Sequence, residues 1–383
     1  MSNLDERLRA VVRHAGIPGV VCAAASQAEL IDVTALGQVE FGSAQAMTLD
    51  TTFWIASITK LATAVAVLQL VERRSLGLND EVADYLPFFE DPEVLASFGR
   101  TPARARVRVR HLLTHTAGFG YEAWSPTLSE YVAQNGLPAA RTGSRRSLER
   151  PLLFQPGACW NYGIGMDWAG LLVEQVSCGT LSDYLEANVF KPLGMRSTGF
   201  APVPAVIRAV LHTRQADRVL DRTPMDPNPY REFDSGGAGL YSTPRDVLRL
   251  LQSILRADRG STSEVLLPET VAQARCNQID LLSVRDLPTC IPERSHDLAL
   301  FPGRKKKWSY LGLLHQEAEP AGRSAGSVSW AGVANTFFWI DFDMSVAAVV
   351  FAQALPFLDP DVLAIVERYE QGLYGRLRRQ ATA

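Results

Sequence analysis

Ser57-Ile58-Thr59-Lys60 puts a hydroxyl and an amine three residues apart, at the opening of an apolar stretch that contains Leu61, Val65 and Leu68. On a helix, residues at that spacing share a face, so the Lys60 amine reaches the Ser57 hydroxyl from the next turn. A serine hydroxyl is a weak nucleophile until a neighbouring base takes its proton. A helix start adds amide donors and partial positive charge where negative charge develops during acyl transfer. The plainer duty of a serine at a helix start is N-capping. Further parts are therefore needed before the pair means chemistry.

Two segments supply them. Pro156-Gly157 makes a turn that delivers Trp160, Asn161 and Tyr162, and a tyrosine held near ammonium groups can serve as base and then as acid. Trp330-Ala331-Gly332-Val333 reads as the start of a strand whose small residues let a substrate lie close. There the Val333 amide would bind an oxyanion beside that of Ser57. The plainer readings are a packing tyrosine and a glycine at a sheet bend. A rival serine, Ser324, stands in Gly322-Arg323-Ser324-Ala325-Gly326 and matches the G-x-S-x-G elbow. An elbow needs a strand before it, a helix after it, and a later aspartate and histidine. Residues 327–332 read as extended and no histidine follows His315, so Ser324 is expected in a turn that enters a strand.

The elements that must position these residues are legible at both ends of the chain. Residues 19–25 and 30–36 read as strands, and 335–340 and 346–352 as a hairpin around Asp341-Phe342-Asp343-Met344. Between them the pattern is mostly helical: 168–176, 181–190, and 245–255 after the Ser242-Thr243-Pro244 start signal. A last helix from about Asp359 carries Val362, Ile365, Val366, Tyr369 and Leu373 at helical spacing. The expected architecture is α/β (α+β): one sheet built from both termini and flanked by helices, in a domain of residues 1–56 and 300–383. Residues 57–299 would form a mostly helical domain, with the active site between the two.

Composition narrows the function. The chain has 383 residues, 47% hydrophobic and 21% charged, with a net charge of −3, which suits a globular protein and gives no electrostatic footprint for nucleic acid. No apolar run is long enough for a membrane helix, and the acidic start lacks a signal-peptide pattern. A cytoplasmic location is the expectation, with a mature form cut from a secreted precursor as the alternative. Five scattered cysteines without CxxC spacing argue against a zinc site or a disulfide framework.

The motifs run in a recognisable order. Residues 52–60 are followed by Leu70-Val71-Glu72, Leu78-Asn79-Asp80, Tyr85-Leu86-Pro87 and the segment 111–118, which includes His111 and His115. Pro192-Leu193-Gly194-Met195 and the glycine-rich segment 236–243 complete the series. Over residues 15–355 this resembles the serine β-lactamase-related family in its class C branch, with its penicillin-binding carboxypeptidases, family VIII carboxylesterases and lovastatin-transesterase-like acyltransferases. The resemblance implies the β-lactamase/penicillin-binding transpeptidase-like fold. It implies Ser57 as acylated nucleophile, Lys60 as its activator, Tyr162 as proton shuttle, and the amides of Ser57 and Val333 as oxyanion hole. His111 and His115 look structural, and neither a metal nor an organic cofactor is implied.

Two departures choose the branch. Where β-lactamases carry Tyr-x-Asn, this chain has Tyr162-Gly163-Ile164, and where they carry Lys-Thr-Gly it has Trp330-Ala331-Gly332. An indole in place of a cation favours an uncharged, more apolar substrate. The expected function is a carboxylesterase on small uncharged esters. The alternatives are a biosynthetic transesterase passing the acyl group to an alcohol or amine, and a non-catalytic binder that kept the fold. Substrate contacts are expected from Trp330, Ala331, Gly332, Trp160, Ile164 and Tyr230, with Trp124 and Trp168 as further aromatics at the mouth. The expected partner is a small ester or acyl substrate, with no nucleic acid or membrane, and the expected assembly beyond a monomer is a homodimer.

Overall fold

The structure is a computed structural model that describes residues 3–96, 99–204, 206–215, 219–223, 231–261 and 264–381. Its main sheet, among the described residues, has seven strands: β1 (Gly19–Ser26), β2 (Leu30–Gly37), β3 (Lys306–Ser309), β4 (Gly312–His315), β5 (Val328–Gly332), β6 (Thr336–Asp341) and β7 (Val346–Phe351). They lie in the order β2-β1-β7-β6-β5-β4-β3 with every neighbouring pair antiparallel. The two termini thus meet where β1 pairs with β7, Val21 opposite Phe351 and Ser26 opposite Val346. β1 and β7 are near-continuous runs of small and branched apolar residues, as strands covered on both faces require.

The five longest helices among the described residues are α1 (Asn3–Ala15), α2 (Thr59–Glu72), α3 (Gly165–Ser177), α4 (Pro244–Asp258) and α5 (Pro360–Ala381). α1 packs on α5, whose Tyr369 meets the Trp339 ring of β6. Side chains of a strand alternate between faces. The neighbouring Phe338 accordingly points away from α5, into the wall beside Ser57. α4 lies against β1 and β7, although its place in the chain put it within the helical stretch. α2 and α3 pack on each other, and the helical segment Leu181–Leu185 packs on both, whereas the helix Pro268–Ala274 packs on α4.

α2 differs from its sequence expectation in an informative way. The spacing of Leu61, Val65 and Leu68 suggests one apolar face, but every residue from Thr59 to Leu70 is buried. A helix apolar on all sides is a central helix. Lys60 is carried into the interior with it, and no helix among the described residues is long and apolar enough to cross a membrane.

The Gly322–Gly326 turn is structural. Arg323 is buried, makes a bidentate ion pair with Glu370 of α5 (2.8 and 2.6 Å), and stacks between Phe301 and Trp339. The Ser324 amide donates to Asp341. A cavity of about 580 Å³ lies beside this clamp, on the α5 face of the sheet, away from Ser57.

Candidate active site

Ser57 sits on a single 3-10 turn, Ala56–Ile58, that runs straight into α2. Ala56, directly before it, has a left-handed backbone (φ 44°) without being a glycine, a strain of about 1–3 kcal/mol that persists only where the surroundings over-determine it. They do so here. The Gln353 amide clamps Trp54 from both sides, accepting from its N–H at 2.9 Å and donating to its carbonyl at 3.2 Å. The Ile55 N–H donates to the Leu240 carbonyl.

The end of β5 presses on the same turn, and Gly332 permits it. A Cβ there would lie 2.3 Å from the Ile55 carbonyl oxygen and 2.3 Å from the Thr336 hydroxyl. Without that Cβ the strand end reaches the Ser57 turn, with half-buried Val333 as the next residue along the chain.

Lys60 Nζ has three partners: Ser57 Oγ at 3.0 Å, the Gly237 carbonyl at 2.7 Å and the Tyr121 hydroxyl at 3.1 Å. Ser57 and Lys60 are thus in contact, as their spacing predicts, across the junction of a 3-10 turn and a helix. Tyr162 is brought to the same place but bonds differently. Its hydroxyl accepts the Trp330 indole N–H at 3.1 Å, and its ring lies under the ammonium, 4.8 Å from Nζ to centroid. The phenol bonded to the lysine is Tyr121, which the sequence reading missed. Its one signal was its position closing the glycine-rich stretch 115–121, next to a loop already suspected. The two rings lie 5.2 Å apart. Asn161 ties their loops together: its N–H donates to the His115 carbonyl and its amide to the Phe119 carbonyl.

Several expected contact residues have other duties. Trp160 is buried against Trp308 and His115, and Ile164 is fully buried just before α3, so both support the wall from behind. Ala331 is buried, and Trp330 is wedged against Trp308 and Tyr162, where its indole orients the phenol. Trp168 stacks on Phe88 inside the helical lobe, whereas half-exposed Trp124 stays close to Tyr121 and Tyr162. Tyr230 lies outside the described residues. A pocket of about 10 Å³ behind Ser57 and Lys60, lined by His115, Trp308 and Phe338, has room for one water and none for an acyl group.

Burial sets the charge states. It pushes the Tyr121 hydroxyl well above the ordinary phenol range, helped by Asp167, so this phenol stays protonated. It also holds His115 well below the usual imidazole value, with Lys60 adding to the effect, and neither ring nitrogen has a hydrogen-bond partner among the described residues. His315 is depressed in the same way, by burial first and then by Arg323 and Lys306. Both imidazoles are expected to stay neutral through the range where a free imidazole titrates, their ring ¹⁵N shifts unmoved. The unfolded chain takes up those protons below about pH 6.5 and the folded one does not. Their contribution to stability is therefore whole above that pH and is lost below it, at about 1.4 kcal/mol per pH unit for each. Shifts that move across this range would contradict the aromatic burial of His115.

Residues 4–371 match the family model described as Beta-lactamase. The ML-236A carboxylate methylbutanoyltransferase mlcH of Penicillium citrinum is 27% identical, over 99% of this chain and 95% of its own. Esterase EstB of Burkholderia gladioli is 30% identical over 89% of this chain and 87% of its own. The unliganded simvastatin synthase LovD from Aspergillus terreus, a solved structure, superposes with a TM-score of 0.83 at 27% identity, covering 97% of each chain.

Proposed function

This chain belongs to the beta-lactamase family and is an enzyme of its serine esterase and acyltransferase kind; from that premise we propose that Ser57 is its acylated nucleophile in the hydrolysis of small uncharged esters. The observation that carries the reading is the buried Lys60 amine held on the Ser57 hydroxyl by two further bonds. With Lys60 unprotonated, those two bonds use its N–H groups and leave the lone pair facing Ser57. Ser57 Oγ attacks the ester carbonyl and its proton passes to Lys60. The oxyanion rests on the Ser57 and Val333 amides. Tyr162 gives its proton to the departing alkoxide. The phenolate left behind faces the Trp330 N–H and the Lys60 ammonium. In the second half a water gives its proton to Tyr162 and attacks the acyl group, and Ser57 leaves with the proton from Lys60. Atoms and charges return to the starting state.

The preference for uncharged esters rests on Trp330, which stands where a cation would draw a carboxylate. Transfer of the acyl group to an alcohol or amine is the second reading, favoured by the end-to-end similarity to a methylbutanoyltransferase. The test is mass spectrometry of the intact enzyme with a slowly turned-over activated ester, followed by product analysis with added alcohols. A mass increment on Ser57 is expected, together with release of free acid. Absence of any adduct would overturn Ser57 as the acylated nucleophile, and ester products that grow with added alcohol would favour the transferase.

A further inference from the structure

A buried carboxylate that the acyl-transfer steps do not use lies one residue behind Lys60's contacts. Asp167, in the first turn of α3, is 5% exposed. Its Oδ1 accepts the Ser235 hydroxyl at 2.6 Å and the Gly237 N–H at 3.0 Å. The Gly237 carbonyl, on the far side of the same residue, accepts from Lys60 Nζ at 2.7 Å. The strap 235–237 is pinned from α2 as well, where the Thr63 hydroxyl donates to the Gly236 carbonyl at 2.8 Å. The fit is close enough to demand glycine: a Cβ on Gly237 would lie 2.5 Å from Asp167 Oδ2.

We propose that Asp167 is a positioning residue for acyl transfer: through the Gly237 peptide it fixes where Lys60 Nζ sits against Ser57, and its charge is the buried counter-charge of the lysine. The inference rests on the serine acyl-enzyme reading above. A lysine has four rotatable bonds, and of its three partners Gly237 is the one held by a second, buried hydrogen bond from the opposite helix. The charged and titratable groups around this centre are few. α2 contributes Lys60, the loop after the short helix Val109–Leu113 contributes His115, Tyr121 and Glu122, and beyond them stand Arg150 and Tyr162. Arg150 is satisfied by Glu122 at 2.7 Å, and His115 and Tyr121 are neutral. Burial raises the Asp167 carboxyl, and Lys60, the Ser235 hydroxyl, the Gly237 N–H and Arg150 oppose that rise.

Two variants separate geometry from charge. Asp167→Asn keeps an acceptor for Ser235 and Gly237 but loses the charge. Asp167→Ala loses both. For Asp167→Ala, kcat on a neutral ester is expected to fall on the order of 10²-fold with KM nearly unchanged, because a displaced base is penalised without any substrate contact being lost. For Asp167→Asn, most of kcat is expected to remain and the acid limb of the kcat/KM profile to move to lower pH, since a buried negative charge beside the general base is lost. Should the alanine variant fail to fold by circular dichroism, the asparagine profile decides alone. An Asp167→Asn profile that superimposes on wild type, or an alanine effect confined to KM, overturns the inference. Wild-type adduct formation on Ser57, measured in parallel, isolates the premise: its absence overturns the acyl-enzyme reading and this inference with it, whereas a normal adduct with unchanged profiles overturns the inference only.

Discussion

Ser57→Ala is expected to lower kcat on the order of 10⁶-fold and to abolish the mass increment seen with an activated ester. Lys60→Met should come close to the same loss, because nucleophile and base act as one unit and removing either leaves only binding and the oxyanion amides. The methionine variant is also expected to stay folded. Position 60 lies in a helix buried on all sides, so a thioether chain of similar length fills the space, although it gives up the bonds of Lys60 to Ser57, Tyr121 and Gly237 and lowers the thermal midpoint. The serine variant changes one half-buried hydroxyl and should leave the thermal midpoint almost unmoved. Stopped-flow acylation, intact mass and a melting curve on the same preparations check all of this. An adduct that persists in Ser57→Ala would place the chemistry on another serine. Ser324 would be the first to test, despite its place between a buried ion pair and the Asp341 carboxylate.

What the sequence could and could not say follows from the range of each interaction. Ser57 and Lys60 are three residues apart, so helical geometry alone brings them together, and a 3-10 turn in place of the first helical turn changes little. The sheet from two termini was readable because β1, β6 and β7 are rich in apolar and β-branched residues and end in clear turns. β3 and β4 escaped notice because Lys306–Ser309 and Gly312–His315 are too short to show a period. The bonds of Tyr121 and Asp167 could not be read at all: they depend on which loops meet, and the partners are 61 residues apart for Tyr121 and Lys60 and 70 for Asp167 and Gly237. The aromatic residues divide for a related reason. Sequence tells that Trp160, Trp168 and Trp330 are large and apolar, but only packing distinguishes a pocket wall from the layer behind it.

The two tyrosines make the sharpest division of labour in the site, and Tyr162→Phe is expected to cost about 10²–10⁴ in kcat/KM for an alkyl ester. Tyr121→Phe should cost on the order of tenfold, the worth of one hydrogen bond to an amine. The asymmetry has a structural cause. Tyr121 accepts from Lys60 and is kept protonated by burial beside Asp167, so it can orient the lysine but is poorly placed to give up a proton. Tyr162 accepts the Trp330 N–H, which supports negative charge on its oxygen, and its own proton has no acceptor among the described residues. If that proton goes to the leaving alkoxide, the loss in Tyr162→Phe must depend on the leaving group. With a 4-nitrophenyl ester, whose phenolate departs unassisted, acylation should be far less impaired than with an ethyl ester. Trp330→Phe, which removes the indole donor together with part of the ring packed on Trp308, should show the same leaving-group dependence in weaker form. Equal losses on both esters would mean that Tyr162 fixes the shape of the site without moving a proton, and a larger loss in Tyr121→Phe would transfer the acid–base role to the phenol already bonded to Lys60.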